Sequence, residues 1–363
     1  MDKSIQFNFF VPTDIIFGRG SLGRLPDLPQ VKGKRCMLFC FPGFSGKDTL
    51  EKLKQNCALF IQAEDFEENP SYSLAQKLGK QVADRKIETV IAIGGGSSID
   101  TAKAAAWMSL NPSGQVPPEE AVPVDGISIV AVPTTAGTGS EVTLYSILTE
   151  SETGKKQILK HPTLFPSVAL CDPELTASMP RHVTANTGID AISHSVEAYL
   201  SKTCQGFMED LALASCRLLK ENLPAALDRP RDGTAREAVM LAALEGGLVL
   251  ARCGTVIVHA LGYCITREFH FPHGYSNALL LAGFVNRLAE KGSDRAARVL
   301  DIFNGDLSGF ISRAGIEQKL PKEKVNDQML GSWIDTGYDS YGRPNCVLPL
   351  EREDIRFILE NTL

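Results

Sequence analysis

The sequence predicts a two-domain protein, with an α/β domain built on a mainly parallel β-sheet over residues 1–179 and an all-helical domain over residues 180–363. Three observations lead to this prediction. With 363 residues and 44% hydrophobic content, the chain can fill two cores. Short β-branched runs alternate with helical runs in the first half, as in βαβ units that form a parallel sheet. From about residue 182 onward, strand patterns give way to successive helical patterns.

The elements of the α/β domain follow from this alternation. Strands are predicted at 35–41, 58–63, 88–93, 127–133 and 167–172, and helices at 48–56, 73–86 and 97–110. The last strand leads into a turn at Pro180, and we place the domain boundary there because proline interrupts regular elements.

The second half is predicted to be all helical. Apolar residues recur with helical spacing at 182–202, 206–221, 233–251, 274–290, 293–303 and 350–361. Only weak periodicity is present at 317–349, where glycine, proline and aspartate are scattered, so no element is predicted in that stretch.

Composition excludes several classes of partner and compartment. The net charge of −6 and the lack of a basic run argue against nucleic acid and anionic membranes as partners. Nine cysteines, odd in number and never spaced as C-x-x-C, indicate reduced thiols and therefore a cytoplasmic protein. No leader-like segment opens the chain, and no run approaches the ~18 apolar residues of a membrane helix.

A glycine-rich turn joins a predicted strand to a predicted helix at Gly94, Gly95, Gly96 and Ser97. Residues without Cβ let a ligand approach the backbone, and the free N–H groups at a helix start favour a pyrophosphate. The pattern is neither G-x-G-x-x-G nor a P-loop. Two interpretations therefore stay open, phosphate binding and a tight connection without a ligand.

A second loop rich in hydroxyl groups, "VAVPTTAGTGSEVT", follows the strand predicted at 127–133. Its hydroxyl side chains are Thr134, Thr135, Thr138, Ser140 and Thr143. A polar surface loop would have the same composition. Ligands of open α/β sheets bind at the carboxyl ends of the strands, so two such loops together predict a dinucleotide site.

Asp190 and His194 are four residues apart in a helix-favouring run, which places them on one face of the helix. They are either two satisfied core side chains or two ligands of one metal ion. His259 and His273 come from a segment with three of the six histidines and complete a plausible four-ligand set. Three imidazoles and one carboxylate suit iron(II), zinc, nickel or cobalt better than calcium or magnesium.

Glu197 lies on the same helix face as Asp190 and His194, one turn further on. Two roles are open for it: a carboxylate that orients a metal ligand, and a structural cap or ion-pair partner.

Four motifs together resemble the iron-containing (group III) alcohol dehydrogenases: "GGGSSIDTAK", "PTTAGTGSEVT", "DAISHSVEAYLS" and "FPHGYSNALLL". The resemblance covers nearly the whole chain. It implies a metal-dependent, NAD(P)-linked alcohol dehydrogenase or aldehyde reductase, with a small alcohol or aldehyde as substrate. It implies iron(II) or another divalent metal on Asp190, His194, His259 and His273, and NADP or NAD as cofactor. Cofactor-binding positions are then Asn69, Gly95, Gly96, Ser97, Asp100, Thr134, Thr135, Thr138, Thr143 and Lys156. We also expect a homodimer.

The chain departs from the family where many members have a second histidine, four residues after the third ligand, because this chain has Tyr263 there. The proton relay is therefore assigned to Tyr263, to His270, or to the cofactor ribose and water. An alternative alignment makes His259 the relay and places Thr255 at the third ligand position, but it requires a four-residue insertion.

A second departure concerns the ribose. NAD-preferring members place an aspartate after the first core strand, where this chain has Phe41, with Ser45 and Lys47 nearby. No carboxylate would repel a 2′-phosphate at this place, so the sequence allows NADP as well as NAD and predicts that NADP is used at least as well.

Two other functions are compatible with parts of the sequence. A dehydroquinate synthase-like lyase shares this architecture, but its metal set of one glutamate and two histidines fits Asp190 and His194 less well. A non-catalytic nucleotide-binding relative is consistent with the loss of the second histidine. Arg267 is a candidate contact for an anionic substrate.

Overall fold

The computed structural model describes residues 5–111, 126–150, 152–317 and 319–363. The chain divides into two compact units, Val11–Ala177 and Ser178–Leu363, and the segment that ends at Phe10 groups with the second. The sequence prediction placed this N-terminal segment in the α/β domain. It belongs to the helical unit because the Phe7 and Phe9 rings pack on Phe207, with ring centroids 5.4 and 5.1 Å away.

Six parallel strands form the sheet of the first unit. In chain order the described strands are β1 (Asp14–Phe17), β2 (Arg35–Cys40), β3 (Leu59–Gln62), β4 (Thr89–Gly94), β5 (Ser128–Pro133), β6 (Tyr145–Thr149), β7 (Lys156–Lys160) and β8 (Val168–Cys171). The order in the sheet is β1-β8-β5-β4-β2-β3, and β6 pairs with β7 as a separate antiparallel hairpin. The prediction of a parallel α/β sheet is confirmed, whereas β1 and the hairpin were not predicted.

Both faces of this sheet are covered, which explains why its strands are apolar without alternation. Val90 and Ala92 of β4 face one core, while Ile91 and Ile93 face the other. The flanking helices are α1 (Lys47–Asn56), α2 (Tyr72–Asp84) and α3 (Gly96–Leu110).

The register of the central strands brings the two predicted ligand loops together. β4 and β5 are neighbours, and Gly94 pairs with Pro133 at their carboxyl ends. The glycine-rich turn and the hydroxyl-rich loop therefore leave the sheet side by side.

The second unit is helical, as predicted. Its helices are α4 (Arg181–Tyr199), α5 (Phe207–Asp228), α6 (Gly233–Cys253), α7 (Val258–Phe269), α8 (His273–Glu290), α9 (Asp294–Ile302), α10 (Leu307–Arg313), α11 (Asp327–Tyr338) and α12 (Arg352–Glu360). The sequence analysis missed α7, α10 and α11. α4 is the central helix, packed against α5, α6 and α8, and every residue from Gly188 to Tyr199 is buried.

Within the described ranges, no single helix is long and apolar enough to cross a membrane. Among these residues, α6 and α7 have the length and composition of a membrane span only when taken together, and a bend of 109° separates them.

Candidate active site

Three of the four predicted metal ligands converge in the helical unit. α4 supplies Asp190, α7 supplies His259 and α8 supplies His273. Asp190 Oδ1 lies 3.8 Å from His259 Nε2 and 3.9 Å from His273 Nε2. The candidate ligand atoms of the three residues lie within 4.8 Å of one another, close enough to bind one ion.

Gly274 explains how His273 comes close to Asp190. A Cβ at Gly274 would lie 2.0 Å from the carbonyl oxygen of Asn186 and 3.1 Å from Cβ of Asp190. Only a residue without a side chain lets the first turn of α8 lie directly on α4.

His194, the fourth predicted ligand, is not one of the residues whose ligand atoms lie within 4.8 Å of one another. Its ring is buried and stacks on the His259 ring, with centroids 4.6 Å apart and an interplanar angle of 21°. It therefore lines the cluster, and its role as a ligand stays a prediction.

The charges of the cluster favour a cation. Burial would raise the pKa of Asp190, but His194, His273 and His259, with the amide of Asn277, hold that pKa below its ordinary value. Burial would likewise lower the pKa of His259, but the carboxylates of Glu197 and Asp190 raise it. The Asp190 carboxylate is thus kept charged in a buried place among three imidazoles, an environment that favours a cation.

Glu197 makes contacts that are compatible with both roles that the sequence left open. Its Oε1 accepts the backbone N–H groups of Val256 and Val258, each at 2.8 Å, at the start of α7. Its Oε2 accepts the backbone N–H of His259 at 3.3 Å and also hydrogen-bonds the ring Nδ1 of His259.

Asn277 is a site residue that the sequence analysis missed. It is fully buried on α8, one turn after His273. Its Nδ2 donates to Asp190 Oδ1 at 2.9 Å and lies 3.1 Å from His273 Nε2. The four-residue spacing from His273 to Asn277 repeats that from Asp190 to His194 and was the available signal.

The residues present fit a divalent metal. His259 Nε2 is buried and has no hydrogen-bond partner among the described residues, while Nδ1 of the same ring is bonded to Glu197. A buried lone pair beside a carboxylate and a second imidazole is the donor set of a borderline metal such as iron(II) or zinc.

The two predicted relay residues have different surroundings. The Tyr263 ring stacks on His273, with centroids 4.8 Å apart and an interplanar angle of 15°. His270 ends α7 in a left-handed conformation, with φ of 55°, and is exposed, as is Arg267. Thr255 precedes α7, whereas His259 Nε2 lies 3.8 Å from Asp190 Oδ1, and this proximity favours His259 as the ligand.

In the α/β unit, the two predicted cofactor loops pack against each other. A Cβ at Gly95 would lie 3.2 Å from Thr135, and one at Gly96 would lie 2.8 Å from Thr138. The Thr134 N–H donates to the Gly94 carbonyl at 2.9 Å. Gly95, the N-cap of α3, has no side chain to cap the helix, so backbone N–H groups at its start are available to an anion.

Three other predicted cofactor residues also come together at this edge. Lys156 Nζ donates to Asn69 Oδ1 at 3.0 Å and to Thr149 Oγ1 at 2.9 Å. The Ser97 hydroxyl donates to the carbonyl of Glu68, the residue before Asn69.

Asp100 and Thr143, which were also predicted as cofactor contacts, are engaged inside the protein. Asp100 accepts the Ser140 hydroxyl and the Ile147 N–H, the latter at 3.0 Å. Thr143 Oγ1 lies 3.4 Å from the buried Lys103 Nζ. These contacts anchor the hydroxyl-rich loop, which contains Thr143, and a direct cofactor contact of either residue stays a prediction.

Phe41 directly follows β2 at the same edge of the sheet. Its N–H donates to the Ile93 carbonyl at 3.1 Å, and its ring meets Phe44 edge to face, with centroids 6.3 Å apart. A Cβ at Gly94 would lie 3.6 Å from Cβ of Phe41, so the aromatic residue borders the glycine-rich turn.

Family models match both units. The model described as iron-containing alcohol dehydrogenase matches residues 12–173. The model described as Fe-containing alcohol dehydrogenase family, C-terminal, matches residues 184–363.

Individual proteins agree with these matches. The chain is 35% identical to the probable alcohol dehydrogenase EutG of Escherichia coli K12, over 71% of this chain and 69% of that protein. An iron-containing alcohol dehydrogenase from Thermotoga maritima superposes with a TM-score of 0.89 at 31% identity, over 98% and 99% of the two chains. A sulfoacetaldehyde reductase from Bifidobacterium kashiwanohense, solved with NAD+, superposes with a TM-score of 0.88 at 26% identity, over 99% of each chain. The chain belongs to the iron-containing alcohol dehydrogenase family.

Proposed function

We propose that Asp190, His194, His259 and His273 bind the divalent metal of this NAD(P)-linked alcohol dehydrogenase or aldehyde reductase. The observation that carries the proposal is the convergence of Asp190 Oδ1 with Nε2 of His259 and of His273. When bound, a divalent metal acts as a Lewis acid that polarises the oxygen of an alcohol or carbonyl substrate. Iron is the usual metal of the family, and zinc, nickel and cobalt fit the same donor set.

The protein's contribution is to hold these donors in place and out of water. Asp190 and His259 are 4% and 5% exposed, so water competes little for their ligand atoms. Tyr263 packs on His273, the most accessible of the three converging ligands, and keeps its ring in one orientation.

We place the cofactor pyrophosphate at the start of α3. Backbone N–H groups after Gly95 and the helix dipole supply the positive potential, and thin loops allow close approach. Asn69 and Lys156 are joined by a hydrogen bond at the same edge and supply an amide and an ammonium group. When bound, the nicotinamide accepts or donates the hydride.

We further propose that NADP(H) is used at least as well as NAD(H). Phe41, at the position that selects the ribose by resemblance, carries no charge to repel a 2′-phosphate. Lys47 opens α1 six residues later and supplies a positive charge and a helix N-terminus.

Two further predictions from the sequence are a cytoplasmic location and a homodimer. All nine cysteines are free thiols, which supports a reducing compartment. Light scattering on the purified chain would measure the oligomeric state.

Metal analysis combined with an NAD(P)H absorbance assay tests the metal assignment. We expect one metal ion per wild-type chain, and loss of both metal and turnover in His259→Ala. His182→Ala is the matched control, because His182 is an exposed histidine at the start of α4. A His259→Ala protein that keeps stoichiometric metal but reacts slowly would instead support the alignment that makes His259 the relay.

Phe41→Asp tests the cofactor assignment. A carboxylate at this position should penalise NADP(H) relative to NAD(H) by ~10-fold or more, because like charges brought together cost several kcal/mol. The ratio of kcat/KM values for the two cofactors is the measurement. A strong preference of the wild-type enzyme for NAD(H) would contradict the proposal.

A further inference from the structure

Glu197 is a completely buried carboxylate whose two oxygens have different partners. Among the described residues, Oε1 accepts the backbone N–H groups of Val256 and Val258. Oε2 accepts the backbone N–H of His259 and contacts Nδ1 of its ring. The residue is thus joined both to the start of α7 and to a candidate metal ligand.

The contact with Nδ1 determines which ring nitrogen carries the proton. Oε2 of the carboxylate can only accept, so the proton of a neutral His259 ring is held on Nδ1. Nε2 then keeps its lone pair, and this is the nitrogen that faces Asp190 Oδ1 at 3.8 Å. In the other tautomer, Nε2–H would point at the carboxylate and oppose a cation there.

We propose that Glu197 is a positioning residue of the metal site, which holds His259 in the tautomer and orientation that binds a metal through Nε2. This inference rests on the proposed function, because it takes His259 as a ligand. It goes beyond that function by assigning part of the metal affinity to a side chain that is not one of the four proposed ligands.

A capping role alone does not account for the geometry. A helix cap needs an oxygen near the first backbone N–H groups, which Oε1 already provides. Asp172 is a buried carboxylate that caps helices: among the described residues, it accepts the backbone N–H groups of Leu22 and Glu174, at 3.0 and 3.1 Å. It lies in the α/β unit and serves as the control.

Glu197→Gln tests the inference with little change in volume. The NH2 group of glutamine must face either the N–H groups of α7, where it repels them, or Nδ1 of His259, where it favours the wrong tautomer. We expect affinity for cobalt(II) and zinc, measured by chelator competition, to fall ~10- to 100-fold, as for other residues that orient metal ligands. The visible absorption spectrum of the cobalt(II) form should also change, because it reports ligand geometry.

Asp172→Asn separates this effect from lost stability. It removes a buried capping carboxylate and should lower the melting temperature while leaving cobalt affinity and spectrum at wild-type values. A folded Glu197→Gln protein with wild-type affinity and spectrum would overturn the inference. If the wild-type chain itself binds no metal, the proposed function fails instead.

A measurement on the wild-type protein covers the case in which Glu197→Gln does not fold. Nitrogen-15 NMR of histidine-labelled, metal-free protein distinguishes a protonated from an unprotonated ring nitrogen. The signals that disappear in His259→Gln are those of the His259 ring. At an alkaline pH, where the His259 ring is neutral, we expect it to carry its proton on Nδ1 and none on Nε2. A proton on Nε2 alone would overturn the inference.

Discussion

In the helical unit, the candidate metal site consists of side-chain donor atoms, whereas in the α/β unit the candidate cofactor site consists mainly of backbone groups and of glycines, which have no side chain. Asp190 and His259 act through particular oxygen and nitrogen atoms held by Glu197 and Asn277. Gly95 and Gly96 act through the absence of Cβ, which lets two loops touch.

This difference predicts opposite sensitivities to mutation. A site made of side-chain donors fails when an atom is removed, because the remaining buried partners lose their balancing group. A site in which two backbone segments lie in close contact fails when an atom is added, because the segments can no longer approach each other. Each of the following predictions tests one side of this contrast, from the largest expected effect to the smallest.

His194→Ala removes the predicted ligand that lies outside the converging set. We expect loss of stoichiometric metal and a fall in kcat of ~10³-fold, since a Lewis acid contributes several kcal/mol to such reactions. Atomic emission spectrometry and an NAD(P)H assay measure both quantities. His182→Ala, on the same helix but exposed, should match the wild type. Full metal content in His194→Ala would mean that three side chains suffice.

Gly96→Ala adds one methyl group to the cofactor site. Its Cβ would lie 2.8 Å from Cγ2 of Thr138, so the loops must separate. Overpacking of this kind costs about 1–3 kcal/mol, so KM for the cofactor should rise ~10-fold with metal content unchanged.

Two variants control that experiment. Gly331→Ala in α11 meets open space and should leave KM unchanged. Thr138→Ser removes the Cγ2 that the new methyl group meets, so the double variant should recover cofactor affinity. A double variant as weak as Gly96→Ala would show that the methyl group blocks the cofactor itself.

Lys103 supports the hydroxyl-rich loop through hydrogen bonds from its buried ammonium group. Its buried Nζ donates to the carbonyls of Thr143 and Tyr145 at 2.8 and 3.0 Å. Burial lowers the pKa of Lys103 from 10.5 to about 8, although the nearby Asp100 and Glu141 act to raise this pKa. Between these two values the unfolded chain holds a proton that the native state has released, so this group makes stability increase with rising pH.

Lys103→Met should therefore remove part of the stability that the wild-type protein gains as the pH rises. Subtracting the variant's free energy of unfolding from that of the wild type should give a difference that grows from pH 8 to about 10.5. Urea titrations across that range measure it. Lys52→Met, at an exposed lysine of α1, should keep the wild-type slope. A flat difference would mean that Lys103 is not buried in solution.

The contrast also explains which parts of the molecule the sequence could reveal. Asp190 and His194 were recognised together because helical spacing places them on one face, and the βαβ pattern placed the two loops at neighbouring strand ends. These are local regularities, and they predicted both the parallel sheet and the metal cluster.

The missed features depend on partners that are distant in sequence. α7 contains Gly262, a weak helix former, and its start is stabilised by Glu197, which is 61 residues from Val258. Asn277 reaches Asp190 across 87 residues, only because Gly274 allows α8 to touch α4. The rotamer that stacks His194 on His259 is likewise a result of packing, which periodicity does not describe.

The smallest effect is expected at Tyr263. Its ring stacks on His273, and phenylalanine keeps this contact while losing the hydroxyl group. Loss of a general acid–base group lowers rates ~10²-fold or more and alters the alkaline limb of the pH profile. We expect a rate loss of less than ~10-fold in Tyr263→Phe, with KM for the substrate changed more than kcat, because the ring that packs on the predicted ligand His273 is kept and only the hydroxyl group is lost. His270→Ala should be close to the wild type, since this side chain is exposed at the end of α7. Near wild-type rates and pH profiles in both variants would leave the cofactor ribose and water as the proton route, whereas a 10²-fold loss in Tyr263→Phe would make its hydroxyl part of the reacting set.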